Sequence, residues 1–359
     1  MSRAQQQTRT RAAVLTAARA EFAERGYPEA KIDRIAERAE LTRGAVYSNF
    51  ASKRSLYLAV LLDATPSPTS AAPAAPPKLA DAAEAFARVW LERLPLATGD
   101  ATAGRLRARS LTGVFDDERG RAALAPIARL EALLLAVALE SDRSRPGRRV
   151  RLAELILTML HGAAGLAESA PGFGDPFDVA RACRHLAGLE LAGLELAGLE
   201  PADGWEPPHL PYVPAARPVR QSWDPPARIT DELSGQAATV DDGVVVVLGT
   251  GRLAAAEEAI RAARPGDTIT LALVSDDPAE TGALVRLRIT DLTAMLRQVF
   301  GAAPRPVRLV LDDHGTLAAA AGAATTFETE TAVRVTGGEI VARADGRGAA
   351  HAAAKAGPA

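Results

Sequence analysis

Polar and basic side chains recur through residues 41–53 at a spacing that would leave them on one side of a short helix. Arg43, Tyr47 and Lys53 would point outward, and the apolar residues placed to pack between two crossed helices are Ile35, Ala39, Leu41, Val46 and Phe50. A rigid helix with cationic and hydrogen-bonding groups on its outer side suits the reading of a DNA groove. The segment therefore predicts noncovalent contacts with phosphates and base edges.

Four short helices are predicted to position this segment. By apolar spacing and turn residues they cover residues 8–25, 32–39, 42–49 and 52–62. Gly26 and Pro28 end the first helix. Thr42 and Ser52 suit the N-caps of the last two, because their side-chain oxygens can accept hydrogen bonds from otherwise unpaired backbone N–H groups. Residues 1–63 are therefore expected to form a compact all-helical domain.

Residues 8–62 closely resemble the DNA-binding domain of TetR-family transcriptional regulators. The helix-turn-helix of that family ends in a Gly-x-Val/Leu-Tyr-x-x-Phe-x-x-Lys pattern, which stands here as Gly44-Ala45-Val46-Tyr47-Ser48-Asn49-Phe50-Ala51-Ser52-Lys53. Phe22 and Gly26-Tyr27 also fit the family's first helix and the turn after it. The resemblance implies a regulator of transcription, with repression expected and activation kept as an alternative.

The resemblance also implies roles for individual residues. Arg43 is expected at base edges, Gly44 would permit close approach to DNA, and Tyr47, Asn49 and Lys53 are expected on or near the phosphate backbone. The full set of predicted DNA-binding residues is Lys31, Thr42, Arg43, Gly44, Tyr47, Ser48, Asn49 and Lys53.

Two positions depart from the family pattern. A threonine often starts the family's second helix where this chain has Ala30-Lys31, so a phosphate contact there would come from Lys31 or from backbone N–H groups. Glycine is common in the turn where Glu40 stands. A non-glycine residue in left-handed geometry costs about 1 kcal/mol, so Glu40 is expected to be strained.

A second helical domain is predicted over residues 78–200, after a Pro/Ala/Ser-rich linker at 64–77. Residues 155–166 and the helix after Pro176 look like the two C-terminal helices through which TetR-type proteins dimerise, and Gly162 and Gly165 would let helices approach closely. The implied partners are a second copy of the chain, a palindromic DNA operator and an unidentified small-molecule effector in this domain. A tandem Leu-Ala-Gly-Leu-Glu repeat at 186–200 is interpreted as a tolerated expansion.

The C-terminal third has a different pattern, so the predicted fold class is multidomain: TetR-like helical domains followed by a small α/β domain at residues 228–345. Strands are expected at 244–248, 268–274, 307–311, 332–336 and 339–344, and helices at 253–263, 280–300 and 315–324. Gly337-Gly338 predicts a hairpin. A Pro/Trp-containing linker is expected at 201–227 and a disordered tail at 346–359.

Several polar groups could carry other chemistry. Gly249-Thr250-Gly251 could hold an anion, but an ordinary tight turn is favoured; Asp312-Asp313-His314 and Asp276-Asp277 are interpreted as capped turns. His161 is expected to be a satisfied interface histidine rather than an effector ligand. No catalytic residue, metal or cofactor is predicted, and the chain is not expected to be an enzyme. An enzymatic domain, a second sensor and an oligomerisation module remain alternatives for 228–345.

Charge and cysteine content agree with this interpretation. Residues 1–62 contain eleven Lys or Arg against six Asp or Glu, whereas the remainder is acidic and the whole chain has a net charge of −2. A basic domain on an acidic body suits a single polyanion-binding surface. Cys183 is the only cysteine, which excludes an intrachain disulfide. With neither a signal peptide nor a membrane span predicted, a cytoplasmic location is expected.

Overall fold

A computed structural model describes residues 3–64, 78–94, 106, 110–141, 147–170, 172–192, 213–301 and 306–357. The part up to residue 192 is helical, and the part from residue 213 contains a mixed β-sheet. The predicted multidomain fold class is therefore confirmed. The 65–77 part of the first predicted linker, Trp205, and most of the tandem repeat lie outside the described residues.

The N-terminal domain contains four helices: α1 Arg3–Glu29, α2 Ile32–Arg38, α3 Arg43–Tyr47 and α4 Lys53–Asp63. Gly26 interrupts α1 with a φ of 71°, close to where the first helix was predicted to end. The rings of Phe22 and Tyr27 lie 4.9 and 5.2 Å from that of Tyr57, measured between centroids. The Tyr57 hydroxyl donates to the Ser110 carbonyl at 2.7 Å, which ties this aromatic cluster to the following domain.

The middle part consists of α5 Leu79–Leu91, α6 Glu118–Leu139, α7 Val150–Ser169 and α8 Pro176–Ala192. Apolar spacing near residues 101–115 also predicts a helix, but residues 112–114 form a turn, and most of the remaining segment lies outside the described residues. By length and hydropathy alone α6 and α7 could cross a membrane. Two such helices are weak evidence for a membrane protein, because core helices of soluble proteins pass the same test and α6 is mostly buried.

The C-terminal part is built on a six-stranded sheet. Its strands and those of a separate hairpin are β1 Arg217–Ser222, β2 Ile229–Asp231, β3 Gln236–Ala238, β4 Gly243–Gly249, β5 Ile269–Val274, β6 Val307–Leu311, β7 Glu330–Thr336 and β8 Glu339–Asp345. The sheet order is β1-β8-β7-β4-β5-β6, and β2 pairs with β3. Strands β4, β5 and β6 are parallel, and β7 runs antiparallel to β4.

Four helices complete this α/β domain: α9 Ala255–Ala262, α10 Thr281–Phe300, α11 Thr316–Ala320 and α12 Ala349–Lys355. The parallel strands are connected through α9 and α10, as the alternating pattern predicted. Gly337 and Gly338 form the β7–β8 turn with φ of 59° and 79°. Val244 and Val246 face the core shared with the helical part, whereas Val245 packs in a second cluster with Trp223.

Two predictions at the ends of this domain are wrong. The predicted 201–227 linker contains strand β1, and the Trp223 indole donates to the Val240 carbonyl at 2.7 Å. The predicted disordered tail contains α12, whose alanines are buried against α9 and β7. Alanine-rich composition suggested disorder, but small side chains permit close helix packing, and this sheet supplies partners for the helix ends.

Those partners are two buried charged residues on β7. One Glu330 carboxylate oxygen accepts the Gly348 and Ala350 N–H groups at 2.8 and 3.3 Å, so it caps the start of α12. Arg334 donates to the Ala354 carbonyl at 2.6 Å and so caps its end. Both helix termini are therefore satisfied by side chains from one strand.

Helix α10 joins the two parts of the chain. It packs against α4, α5 and α6, and the apolar residues of both parts form one continuous buried cluster. Ion pairs cross the same boundary between Arg54 and Glu280 at 2.8 Å and between Arg288 and Glu131 at 2.6 Å. The α/β domain is thus docked on the helical domains rather than carried as a separate unit.

The α2–α3 turn contains the strain that the sequence predicted. Glu40 adopts a φ of 55° and is the only residue other than glycine with a positive φ among the described residues. Its N–H donates to the Glu37 carbonyl at 3.1 Å, and the Leu41 N–H donates to the Ala36 carbonyl at 2.9 Å. These hydrogen bonds close the turn, so the left-handed geometry is required at this position.

We expect Glu40→Gly to raise the free energy of unfolding by about 0.5–1 kcal/mol, because glycine removes the steric cost of positive φ. Glu37→Gly, three residues earlier in α2, should lower it by about the same amount, because glycine is unfavourable in a helix. Urea unfolding of the two variants and the parent chain measures the difference. Equal destabilisation by both substitutions would contradict the assigned strain.

We expect Glu330→Ala to lower the free energy of unfolding by about 3 kcal/mol, because it leaves the α12 N–H groups unpaired and removes the ion-pair partner of Arg252. The nearby exposed Glu328 provides a matched control, and Glu328→Ala should change stability by less than about 0.5 kcal/mol. Thermal and urea unfolding measure both. Similar values for the two variants would show that the cap is unimportant.

Candidate nucleic-acid interface

Helix α3 presents the residues that the sequence singled out. The Thr42 side chain accepts the Ala45 N–H at 3.2 Å, so the predicted N-cap is present. Val46 and Phe50 are buried beneath the helix, while Arg43, Gly44 and Tyr47 are exposed on it. A five-residue helix has little stability of its own, so the cap and the two apolar anchors hold it in place.

Arg43 and Tyr47 are the most accessible recognition groups on α3. The Arg43 side chain is 61% exposed, and its guanidinium carbon lies 5.6 Å from the centroid of the Tyr47 ring, which is 38% exposed as a residue. Arg43 also approaches Asp33 at 3.5 Å. Exposed ion pairs of this kind contribute little, so the guanidinium can exchange Asp33 for a nucleic-acid acceptor at small cost.

The side chains of Ser48 and Asn49 form hydrogen bonds with the backbone of α3. The Ser48 hydroxyl and the Asn49 amide each donate to the Ala45 carbonyl at 2.9 Å. Arg11 donates to the Asn49 carbonyl at 3.2 Å, and its guanidinium carbon lies 4.3 Å from the centroid of the Phe50 ring. The Asn49 amide therefore donates one of its two N–H groups to Ala45, and a phosphate contact would come from the other, whose nitrogen lies 3.4 Å from the Ser48 hydroxyl oxygen.

The two predicted lysines differ in their surroundings. Lys31 is exposed at the start of α2, and its backbone N–H donates to Glu21 at 3.3 Å, so an additional phosphate contact there depends mainly on its ammonium group. The Lys53 ammonium donates to the Pro28 carbonyl at 3.1 Å and lies 4.7 Å from the Tyr27 ring centroid. Burial lowers the pKa of Lys53.

The other candidate sites serve as structural turns. Gly249 and Gly251 donate their N–H groups to the Thr329 and Phe327 carbonyls at 2.8 and 2.9 Å. A Cβ atom at Gly249 would lie 2.0 Å from the Thr326 carbonyl oxygen, so glycine is needed for backbone approach. Both N–H groups already have protein acceptors, which supports the interpretation as a tight turn.

The acidic residues at the ends of β5 and β6 act as caps. Asp312 accepts the Thr316 and Ala318 N–H groups, both at 2.8 Å, and Asp277 accepts the Thr281 N–H at 3.2 Å. Asp276 pairs with Arg119. Within the part of the chain that the structure describes, no three His, Cys, Asp or Glu side chains are grouped as metal ligands.

A cavity of about 60 Å³ lies between the helical domain and α10. The helical domain contributes Trp90, Arg93, Leu94, Leu111, Glu131, Leu157 and His161, and α10 contributes Leu287, Arg288, Asp291, Leu292 and Met295. This volume accommodates only a few water molecules. From the sequence, an effector is expected within the helical domain alone. The second wall is contributed by residues more than a hundred positions away in the chain, so local spacing does not reveal it.

His161 is satisfied at this boundary, as favoured from the sequence. Its Nδ1 lies 2.7 Å from the Leu157 carbonyl oxygen, and its Nε2 lies 2.7 Å from Arg288. The carbonyl requires Nδ1 to donate, so Nε2 accepts from the guanidinium and the ring is neutral. Burial and then the positive charge of Arg288 lower the pKa of His161, in agreement with this assignment.

Large apolar side chains are exposed at several positions in the last two helices of the helical part. They belong to α7, to the turn after it and to the start of α8, with exposed fractions of 55% for Leu155, 43% for Leu166, 70% for Phe173 and 64% for Phe177. We refer to these four residues as the α7–α8 patch. Exposed apolar residues often mark a surface that binds another protein when they form a continuous patch.

Comparisons with known proteins agree with the helix-turn-helix geometry. Residues 14–60 match the family of bacterial regulatory proteins called the tetR family. No curated protein matches the chain.

Solved structures similar to the chain include NalD, the secondary repressor of the MexAB-OprM multidrug efflux pump in Pseudomonas aeruginosa. The identity is 20%, the match covers 51% of this chain and 96% of that one, and the TM-score is 0.35. A TetR transcriptional regulator from Rhodococcus sp. RHA1 has 17% identity, coverages of 53% and 99%, and a TM-score of 0.32. A TetR-family regulator from Pectobacterium atrosepticum has 24% identity, coverages of 55% and 99%, and a TM-score of 0.27.

The family match covers the segment that contains the capped helix α3 and its exposed Arg43 and Tyr47. Residues 14–60 therefore match the tetR family of bacterial regulatory proteins, within a multidomain chain that also contains a mixed α/β domain.

Proposed function

We propose that the chain is a cytoplasmic DNA-binding transcriptional repressor that a small-molecule effector releases from a palindromic operator. The observation that carries the proposal is the exposed Arg43–Tyr47 surface on a capped, apolar-anchored helix within a tetR-type domain. A guanidinium can donate two hydrogen bonds to guanine in the major groove, and a tyrosine hydroxyl can donate to a phosphate.

The charge distribution supports the same proposal. Excess positive charge lies within the first 62 residues, and the rest of the chain is acidic. Phosphate contacts from this domain would supply affinity that falls with salt concentration, whereas Arg43 would supply sequence preference. The acidic body would be repelled by DNA, which favours an approach with α3 leading.

Dimerisation is proposed through the α7–α8 patch. A two-fold axis at that patch would bury the same four apolar side chains from each copy, since the contact is self-complementary. It would also present two α3 helices to one DNA duplex, which explains why the expected operator is palindromic.

We expect Arg43→Ala and Tyr47→Ala each to weaken binding to the gene's own upstream DNA by about tenfold or more, because each removes a direct contact. Gel shifts at fixed salt concentration measure the change, and circular dichroism checks the fold. Arg228→Ala is the matched control, since Arg228 is an exposed arginine on the α/β domain and should leave affinity unchanged. Parent-like affinity in both α3 variants would refute the assigned interface.

We expect Phe177→Arg to convert the chain from dimer to monomer at micromolar concentration, because it introduces two like charges into an apolar two-fold contact. Sedimentation velocity measures the mass. Leu124→Arg alters an exposed leucine outside the α7–α8 patch and should leave the dimer intact. A monomeric parent chain, or a Phe177→Arg variant that stays dimeric, would contradict this interface.

A further inference from the structure

We propose that the α/β domain is an intramolecular clamp whose helix α10 fixes the DNA-binding domain to the helical body. The proposal assigns a role to the domain that the helix-turn-helix does not explain. Its link to transcription rests on the proposed function, whereas the clamp itself can be tested without DNA.

The first end of the clamp holds the DNA-binding domain. Glu280, at the start of α10, accepts a hydrogen bond from Arg54 at 2.8 Å and another from the Ser52 hydroxyl. Ser52 is the N-cap of α4 and Arg54 lies in its first turn, so both donors belong to the helix that follows α3. Arg54 also pairs with Asp117 at 3.2 Å. The start of α4 is therefore bound to both other parts of the chain.

The second end of the clamp holds the helical body. Arg288 donates to Glu131 on α6 at 2.6 Å and to His161 on α7 at 2.7 Å. Glu131 is buried, so loss of Arg288 would leave a carboxylate without its cationic partner away from water. Arg93, in the turn after α5, pairs with Asp291, one turn further along α10, at 3.1 Å. Helices α6 and α7 and the turn after α5 are thus attached to a single helix of the α/β domain.

The two ends differ in strength. The two arginines are similarly exposed, 20% for Arg54 and 25% for Arg288, whereas the Glu280 side chain is 24% exposed and that of Glu131 only 7%. Water competes better for the more exposed carboxylate, so the contact with α4 is the weaker end. A displacement of α10 would therefore release the DNA-binding domain before the helical body.

The cavity supplies a means of displacement. Its remaining volume of about 60 Å³ holds only a few waters, and α10 forms one of its walls. An effector larger than this that enters the cavity completely would displace α10 or the helices opposite it. Movement of α10 would break the Glu280 contacts, so binding in the cavity would be coupled to the position of α4 and α3.

The clamp is tested by a distance measured within the full chain. Spin labels are attached at Glu37→Cys on α2 and Glu339→Cys on the β7–β8 hairpin, both exposed, and labelled chain is diluted with unlabelled chain. The native Cys183 is buried, and burial raises the pKa of its thiol to about 11, so it reacts slowly. The parent chain should give one narrow distance distribution, and Glu280→Lys should broaden it, because lysine repels Arg54.

Arg286→Ala is the matched control, since Arg286 also lies on α10 but pairs with Asp313 of its own domain. This variant should keep the narrow distribution. Glu280→Gln, which removes charge without changing shape, should broaden it to a smaller extent. A broad distribution in the parent chain, or a Glu280→Lys distribution as narrow as the parent's, would overturn the clamp.

A gel shift on the upstream DNA tests the consequence for binding. Glu280→Lys should weaken affinity by about threefold or more, because a released domain must be ordered again when it binds, and Arg286→Ala should bind like the parent. If Glu280→Lys broadens the distance distribution but leaves DNA affinity unchanged, the regulatory role is overturned. If the parent chain itself fails to bind, the proposed function fails, and the spin-label distances still decide the clamp.

Discussion

The ion pair between the buried Glu131 and the partly exposed Arg288 joins the two parts of the chain. The Glu131 carboxylate would be costly to bury alone, and its cationic partner comes from the other part, so the interface is most favourable when both are in place. His161 completes the arrangement as a neutral acceptor. Apolar residues on α10 then pack around this polar centre and continue the helical core into the sheet.

The rest of the interface has a consistent charge pattern. Among the ion pairs that cross it between described residues, Arg54, Arg93 and Arg119 lie on the helical side and face carboxylates of the α/β domain. Only Arg288 reverses this polarity. The acidic α/β domain is therefore electrostatically complementary to the helical surface beneath it, while Arg43 and Tyr47 remain uncovered.

Local structure could be predicted from the sequence wherever neighbouring residues determine the backbone geometry. Thr42 and Ser52 cap their helices through bonds three residues away, Gly337 and Gly338 form the expected turn, and Glu40 adopts the strained geometry that its position demanded. The helix that carries Arg43 was predictable for the same reason, because its apolar anchors and its N-cap lie within a dozen residues of one another.

Structure could not be predicted where a residue depends on a partner that is distant in the chain. Helix α12 depends on Glu330 and Arg334, which lie about twenty residues earlier, and its alanine-rich composition alone suggested disorder. Arg54 gave no local sign of its bond to Glu280, 226 residues away. Residue spacing also does not show that the Asn49 amide donates to the Ala45 carbonyl.

Strand β1 has a further consequence for the behaviour of the protein in a crowded solution. It is a terminal strand of the six-stranded sheet, and its outward-facing edge could template pairing with another chain. Arg217, Pro218 and Arg220 lie on this largely exposed strand. Proline lacks the N–H that such pairing requires, and the two positive charges repel an identical edge, so the strand that completes the sheet also limits its growth into aggregates.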